Sequence, residues 1–454
     1  MNRMFFACSK LSFLDISSFK TKRVQNMQEM FYNCNQLTSL NFKNFDTSDV
    51  TTMESMFQFC GKLTSLDLST FNTKQVQNMM SIFNGCSSLQ YLNIENFDTS
   101  RVTNLARMFS DCKLLTSIDA TKLISNYVDR MDSLFENCYN LQSLDLSNWK
   151  TEKVTAMGYM FKNCYSLKKL DCSSFNTNNA ESLYHMFYNC SSLTSLDVSS
   201  FQMDSAWDID YMFFNCTSLK SLNVQNLVGK GIGRMEYVFK DCHQLTSLDL
   251  SNFEVKATYM SGIFQNCYSL EYLKIPLLSA ESAYSLKGFI ENCTSLKSID
   301  LNSFTSIPAV NIDNLFKNCY SLTSLDLSKF STGKISSMTG IFENCGKLKS
   351  LDLSNFETTK ANDMNRMFNN CSELEYLKLN FNTENVRDMQ YMFASLVKLT
   401  SLDISTFNTT ACNNFENMFL DDIDLHLTID SRLCKNLLDK IPKYVNVTDL
   451  NDNL

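Results

Sequence analysis

The chain contains few of the residues that interrupt regular structure. Its 454 residues include 11 glycines and 3 prolines, which excludes collagen, proline-rich stalks and Gly/Ser linkers. It has no apolar run of about 18 residues, so no membrane-spanning helix is predicted. The formal net charge of -8 is small and spread along the chain. Because binding to phosphate backbones needs a basic patch, nucleic acid is not an expected partner.

The N-terminus lacks an export signal. The segment from Met1 to Cys8 does not have the basic, apolar and small-residue regions of a secretory leader, and no anchor motif ends the chain. The sequence begins only a few residues before a repeat motif, so we expect it to be the interior of a longer gene product. A cytoplasmic location is the alternative.

The cysteines are spaced at a regular interval. Fifteen of the 18 lie on a grid that starts at Cys8 and advances by 26 residues, with one interval of 25 between Cys242 and Cys267. After a further interval of 25 from Cys371, Leu396 and Asp422 occupy the next two grid positions. A fixed period in this range is typical of a solenoid, in which each unit stacks on its neighbours. The template fits 16 times and predicts about 16 stacked units of 26 residues.

Each unit contains two hydrophobic periodicities. Leu63, Leu66 and Leu68 follow the pattern L-x-x-L-x-L, whose alternation with polar residues predicts a short strand with one buried face. Between residues 76 and 83, apolar side chains recur at three- and four-residue spacing, which predicts a helix. The predicted fold class is therefore α/β, a solenoid of strand-helix units with two columns of core aromatic residues.

The residues around the grid cysteines predict how each unit ends. Asn or Asp precedes most grid cysteines, as at Asn137 and Asn163, and these residue types tolerate the left-handed conformation. Equivalent atoms of stacked units lie about 4.8 Å apart, whereas a disulfide needs Cβ atoms about 3.8 Å apart. We therefore expect the grid cysteines to be buried, reduced thiols that act as small hydrophobic residues.

The repeat resembles a known family. The recurring pattern is M-F-x-N-C-x-x-L-x-S-L-D-L-S-x-F-x-T-x-x-V-x-x-M, with a clear copy from Met30 to Met53 and another from Met160. It resembles the 26-residue-repeat branch of the BspA-like leucine-rich-repeat surface proteins over about residues 4 to 422. The resemblance implies a leucine-rich-repeat-like solenoid on the cell surface or outside the cell. It also implies adhesion to host proteins, matrix or other cells, and no enzymatic activity.

A column of acidic residues follows the outward side of the strands. Eleven of its 16 members are Asp, and carboxylates about 5 Å apart repel each other by roughly 1 kcal/mol even in water. Hydrogen bonds to neighbouring Ser and Thr would offset this cost. The alternative is an acidic strip that binds a basic partner or calcium, and no other cofactor is expected. The candidate strip comprises Asp119, Asp145, Asp171, Asp197, Asp300, Asp326 and Asp352.

The sequence predicts one solenoid domain over residues 1–422 and a C-terminal cap over residues 423–454. Within the cap, we expect a short helix between Ser431 and Ile441. The repeats from Leu219 to Leu315 are the least regular, which indicates either a local change of curvature or a binding patch. The segment Gly229 to Gly233 is rich in glycine but lacks the G-K-[ST] ending of a phosphate loop.

Catalysis is not expected. His185, His243 and His426 lie in different units, and no C-x-x-C pair occurs, so neither a nucleophilic triad nor a zinc site is indicated. The resemblance and the extended repeat surface together imply a non-enzymatic surface protein that mediates adhesion or protein-protein interaction through the strand face. The alternative is an intracellular repeat scaffold or structural rod without a dedicated ligand.

Overall fold

The structure is a computed structural model that describes residues 1–121, 123, 126–305 and 308–451. The chain divides into two compact units, Met1–Gly231 and Ile232–Leu454. In each unit, successive repeats stack through parallel pairing of equivalent residues. This stacking satisfies backbone groups that a single repeat would leave exposed.

A column of isolated parallel bridges follows the repeats. In the first unit it runs from Asn26 to Asp208, and in the second from Arg234 to Asn414. Each column contains seven successive bridges, and the solenoid has about 14 turns of roughly 26 residues. The predicted solenoid is therefore confirmed, with slightly fewer turns than expected.

The short strands carry the L-x-L part of the repeat. Leu66 pairs with Leu92 in the next turn, and both flanking residues pair in the same register. The strands of the first unit form the parallel pairs β1-β2, β3-β4 and β5-β6. They are β1 (Ser65–Asp67), β2 (Tyr91–Asn93), β3 (Ser143–Leu144), β4 (Lys169–Leu170), β5 (Ser195–Asp197) and β6 (Ser221–Asn223).

The second unit repeats this arrangement, and its last residues add a helix and a strand. Its parallel sheets are β7-β8, β9-β10 and β11-β12-β13. The expected short helix is present as α1 (Lys435–Leu438), and strands on both sides of it extend the last sheet. The strands are β7 (Ser247–Asp249), β8 (Tyr272–Lys274), β9 (Ser350–Leu353), β10 (Tyr376–Leu379), β11 (Ser401–Asp403), β12 (His426–Ile429) and β13 (Asn446–Asp449).

The second half of each repeat is not the predicted helix. It consists of consecutive tight turns in which Ser81 and Gly85 have φ of 57° and 76°, a left-handed conformation that a right-handed helix cannot contain. The amide of Ile82 donates to the carbonyl of Met79 over 3.3 Å, whereas the amide of Met79 donates to Asn104 in the next turn over 3.1 Å. We call these parts the turn segments. The apolar residues are buried as predicted, because two tight turns place the same positions inward.

The core consists of stacked aromatic columns, as predicted. In the first unit, Phe57 lies 5.9 Å from Phe83, ring centroid to centroid, with the two planes 3° apart. A second column includes Trp149, whose ring is 6.3 Å from Phe175 and whose Nε1 donates to the carbonyl of Ala120. The repeating side chains therefore fill equivalent space in successive turns, which is what a solenoid core requires.

Polar ladders connect the turns beside this core. Asn163, at φ 62°, donates from Nδ2 to Oδ1 of Asn137 over 2.7 Å and accepts an equal bond from Asn189. Buried threonines form a second ladder, in which the Thr47 hydroxyl bonds to both the carbonyl and the amide of Asn72. The predicted left-handed residues before the cysteines are confirmed, and their side chains also join adjacent turns.

Candidate functional site on the strand face

The strands present two outward columns of side chains. In β1, Ser65 and Asp67 are exposed while Leu66 is buried, and the same alternation occurs in β5, β6 and β7. We call the surface formed by these outward side chains the strand face. Because the strands that follow this alternation are two to four residues long, each offers only one or two outward side chains to a partner. Any recognition by this face must therefore combine several turns.

Each aspartate of the candidate strip caps the turn that follows its strand. Oδ1 of Asp145 accepts the amide of Ser147 over 3.0 Å, and Oδ1 of Asp171 accepts the amide of Ser173 over 2.9 Å. Such Asx turns favour Asp and Asn. The same bond occurs at the remaining members of the strip, Asp119, Asp197, Asp300, Asp326 and Asp352.

These bonds offset repulsion along the strip. The amide and hydroxyl of Ser147 hold the pKa of Asp145 below its ordinary value, and Ser328 does the same for Asp326. A lowered pKa means that the ionised carboxylate is favoured in the folded chain. The strand aspartates therefore have a structural role. The turn bond uses one carboxylate oxygen, and Asp145 remains exposed on the strand face.

Two lysines interrupt the acidic column in the second unit. Lys274 lies 3.7 Å from Asp249, and Lys378 lies 3.6 Å from Asp352, nitrogen to oxygen. These pairs are solvent-exposed, so each contributes at most about 1 kcal/mol to stability. Their main effect is to neutralise the local charge, and the strip is therefore not uniformly acidic.

Each unit has a shallow depression on its strand face. The first has a volume of about 480 Å³, and Asp145, Lys169 and Asp171 are among the residues that line it. The second, of about 380 Å³, is bounded by Tyr376 and Lys378. Both volumes fall in the range of about 300–1,000 Å³ that is typical of binding sites. Predicted strip residues therefore border the first depression.

Exposed tyrosines are strand-face residues that the sequence analysis missed. Tyr91, Tyr272 and Tyr376 stand at the outward position usually held by Ser, and each exposes more than half of its surface. The available signal was the tetrapeptide Glu-Tyr-Leu-Lys, which occurs at 271–274 and again at 375–378. Exposed aromatic side chains are frequent anchors in protein interfaces.

The histidines lie in three separate environments. His426 bonds to the hydroxyl of Thr448 over 2.8 Å, and Nε2 of His243 is 3.9 Å from Asp241. Burial, followed by the charge of Lys162, lowers the pKa of His185 to about 4. Within the described residues, no group of three or more His, Cys, Asp or Glu could hold a metal ion. In that part of the chain, no helix is both long and apolar enough to cross a bilayer.

Stacked short parallel strands with inward leucines define a leucine-rich-repeat-like solenoid. The chain belongs to the family described as "Mycoplasma protein of unknown function, DUF285", which agrees with the predicted BspA-like resemblance. The family matches residues 1–122, 116–227, 193–298, 233–351, 284–376 and 336–453. No match was found among curated proteins.

Solved structures provide a separate comparison. The chain is similar to a leucine-rich cell surface protein from Faecalibacterium prausnitzii, at 16% identity over 72% of this chain and 84% of that one, with a TM-score of 0.35. A leucine-rich-repeat protein from Eubacterium ventriosum is 17% identical over 60% of this chain and 81% of that one, with a TM-score of 0.30. The pneumococcal vaccine antigen PcpA is 14% identical over 77% of this chain and 85% of that one, with a TM-score of 0.33.

Proposed function

We propose that this protein is a non-enzymatic surface protein that mediates adhesion or protein-protein interaction through its strand face. The observation that carries the proposal is the depression on the strand face, where Asp145, Lys169 and Asp171 from two successive turns line one surface. The resemblance of the repeat to BspA-like surface proteins supports the surface location. Repeated weak contacts along such a face add through multivalency.

The strand face is favoured over the turn segments because fewer of its polar side chains are hydrogen-bonded to one another. Along the turn segments, the Asn163 and Asn189 side chains bond to their neighbours. On the strand face, the backbone turn bond at Asp171 uses only Oδ1, and Tyr376 is 53% exposed. We therefore propose that the strip binds a basic partner or calcium, while the tyrosines supply apolar contact.

An adhesion assay tests this proposal. Beads carrying the full chain are applied to cultured host cells and to matrix-coated plates, beside beads with Asp145→Asn, Lys169→Ser and Asp171→Asn combined. We expect bead retention to fall severalfold in the variant. The matched control is Glu152→Gln, an exposed change outside the depression. Equal retention of wild type and the triple variant would remove the strand face from the proposal.

Surface labelling separates the proposal from its alternative. Antibodies against the chain should label intact source cells, and protease treatment of those cells should remove the signal. Labelling that requires permeabilised cells would favour the intracellular scaffold or structural rod instead.

A further inference from the structure

The turn segments of the first unit contain a surface cavity that lies away from the strand face. Its volume is about 580 Å³, within the range of about 300–1,000 Å³ that is typical of ligand sites. Ala156, Gly158 and Tyr159 are among the residues that line it. The equivalent positions in the preceding turn carry the larger side chains Arg130 and Asp132.

Gly158 creates this space, although its backbone conformation does not require a glycine. A Cβ atom built at Gly158 would meet only the carbonyl oxygen of Tyr184, at 3.4 Å, which is an ordinary contact distance. By contrast, Gly85 has φ of 76° and a Cβ there would lie 2.5 Å from Phe59. The equivalent position two and three turns earlier is Ala106 and Met80. The absence of a side chain at Gly158 therefore opens a notch one turn wide.

The charges around the notch fall into paired and unpaired groups. Arg130 is paired with Asp132 at 3.0 Å, and Lys162 with Glu136 at 3.3 Å. Among the described residues, the side chains of Arg107 and Glu181 have neither an ion-pair nor a hydrogen-bond partner, and both are exposed. A free cation and a free anion thus stand at opposite ends of the cavity.

Spacing defines what can connect these two charges. Arg107 and Glu181 lie three turns apart along the stack, about 14 Å at roughly 4.8 Å per turn. They are also four positions apart within the repeat, so a ligand that joins them crosses the turns obliquely. An extended peptide rises about 3.3 Å per residue and turns alternate side chains to the same face. Side chains at the first and fifth residues therefore span about 13 Å on one face, with the third between them. The third side chain would lie over the notch.

Tyr159 gives the notch an aromatic wall. The ring is half-buried, with Nζ of Lys162 4.9 Å from its centroid. Burial, followed by the neighbouring Tyr184, raises the pKa of Tyr159 to about 12. The phenol is thus neutral at physiological pH, and an aromatic or aliphatic side chain can pack against it.

We propose that this cavity binds an extended peptide segment with a basic residue, an apolar residue and an acidic residue at alternate positions. The basic side chain pairs with Glu181, the acidic side chain pairs with Arg107, and the apolar side chain enters the notch above Gly158. The ligand class is thus a charged strand or terminus of a partner protein, bound by the turn segments independently of the strand face.

The test uses blocked pentapeptides that carry a fluorinated phenylalanine, observed by fluorine NMR with the full chain. The probe is Lys-Ala-Phe-Ala-Asp, and its composition-matched control is Ala-Lys-Phe-Asp-Ala, which places Phe on the face opposite the charges. We expect the probe to bind and the control to bind at least severalfold more weakly. Gly158→Met, which fills the notch with the residue found at Met80, should abolish probe binding while the melting temperature stays unchanged.

Single-charge changes locate the contacts. Arg107→Gln should weaken the probe about three- to tenfold and have no effect on a probe in which Asn replaces Asp. Glu181→Gln should likewise weaken the original probe, and it should have no effect on a probe in which Gln replaces Lys. Arg101→Gln and Glu152→Gln, which change charges outside the cavity, serve as controls. Equal binding of both peptides, or equal losses with charged and neutral probes, would overturn the proposal, as would an absence of binding at millimolar peptide.

Discussion

The thiol of Cys60 donates a hydrogen bond to the carbonyl oxygen of Phe31, with 3.1 Å between sulfur and oxygen. The same bond recurs through both units, for example from Cys371 to Phe342 over 3.0 Å. Burial raises the pKa of the Cys216 thiol to about 12, so the donor keeps its proton at neutral pH. The grid cysteine is thus a small apolar residue with one hydrogen bond across the turn.

This bond predicts the reactivity of the cysteines. All 18 are free thiols, and Cys8 is the exposed one, which corrects the expectation that every grid cysteine is buried. Because the thiolate is the reactive form, iodoacetamide should modify Cys8 in the native chain well before the others. Mass spectrometry of the unreduced, denatured chain should find every cysteine modified. Disulfide-linked peptides from successive turns would contradict this prediction.

The Asn ladder predicts an unusual order of stability among variants. Asn163→Gly removes two hydrogen bonds, each worth about 1 kcal/mol, but relieves the left-handed backbone. Asn163→Ala removes the same bonds and adds a left-handed cost of about 1–2 kcal/mol. The Ala variant should therefore be less stable than the Gly variant, as measured by urea unfolding. The reverse order would mean that the backbone at this position is not left-handed.

Much of the fold was predictable because the same residue types recur at the same positions in each repeat. The 26-residue period, the buried leucines such as Leu66 and the left-handed Asn163 followed from the sequence. The helix prediction was wrong because three- and four-residue spacing fits tight turns equally well. The distinguishing residues are left-handed positions such as Ser81 and Tyr159, whose residue types vary among repeats and give no recurring signal.

The site was less predictable than the fold. The aspartate column was visible in the sequence, but its turn bonds, such as that from Ser173 to Asp171, depend on backbone geometry. The depression beside Lys169 depends on side chains from successive turns. Tyr376 was overlooked because an aromatic residue in a strand is usually taken as core, and only the structure places it outward.

Calcium binding tests the acidic strip directly. A variant that combines four changes should lose any heat of calcium binding in calorimetry, because an amide is a weaker ligand than a carboxylate. The changes are Asp119→Asn, Asp145→Asn, Asp171→Asn and Asp197→Asn. The turns should persist, since Asn93 accepts the amide of Glu95 over 3.1 Å in the same way. Unchanged circular dichroism is the control. Wild-type protein that binds neither calcium nor a polylysine surface would leave the strip with its structural role alone.

The same aspartates predict a loss of stability in acid. The pKa values of Asp67, Asp145 and Asp352 are lowered by hydrogen bonds from the residues two positions on. Their stabilising contribution is therefore complete above the ordinary Asp pKa of about 3.9 and is lost as the pH falls through the lower folded values. The urea concentration at the unfolding midpoint should therefore decrease once the pH is below about 4. The fall should be smaller in the combined Asn variant, and an identical acid limb would contradict the prediction.

Asp422 predicts the opposite pH dependence near neutrality. This carboxyl occupies a grid cysteine position, where Oδ1 accepts the amide of Leu396 over 2.7 Å and Oδ2 is buried without a partner among the described residues. Burial raises its pKa to about 7. Because an unfolded Asp has a pKa of about 3.9, the folded chain holds the proton more tightly between these values. Unfolding free energy should therefore fall by roughly 3–4 kcal/mol as the pH rises from about 4 to 7.

The isosteric change Asp422→Asn isolates this effect. The Asn side chain keeps an oxygen for the amide of Leu396 but cannot ionise, so the variant should lose the fall in stability between about pH 4 and 7. Because repeats unfold through nearest-neighbour coupling, amide hydrogen exchange in strand β12 (His426–Ile429) is the local readout. Exchange there should accelerate as the pH rises from about 4 to 7 in the wild type, beyond the intrinsic pH effect, and not in the variant. Asp424→Asn, an exposed change two residues away, is the control, and a matching profile for wild type and Asp422→Asn would show that the buried carboxyl does not titrate in this range.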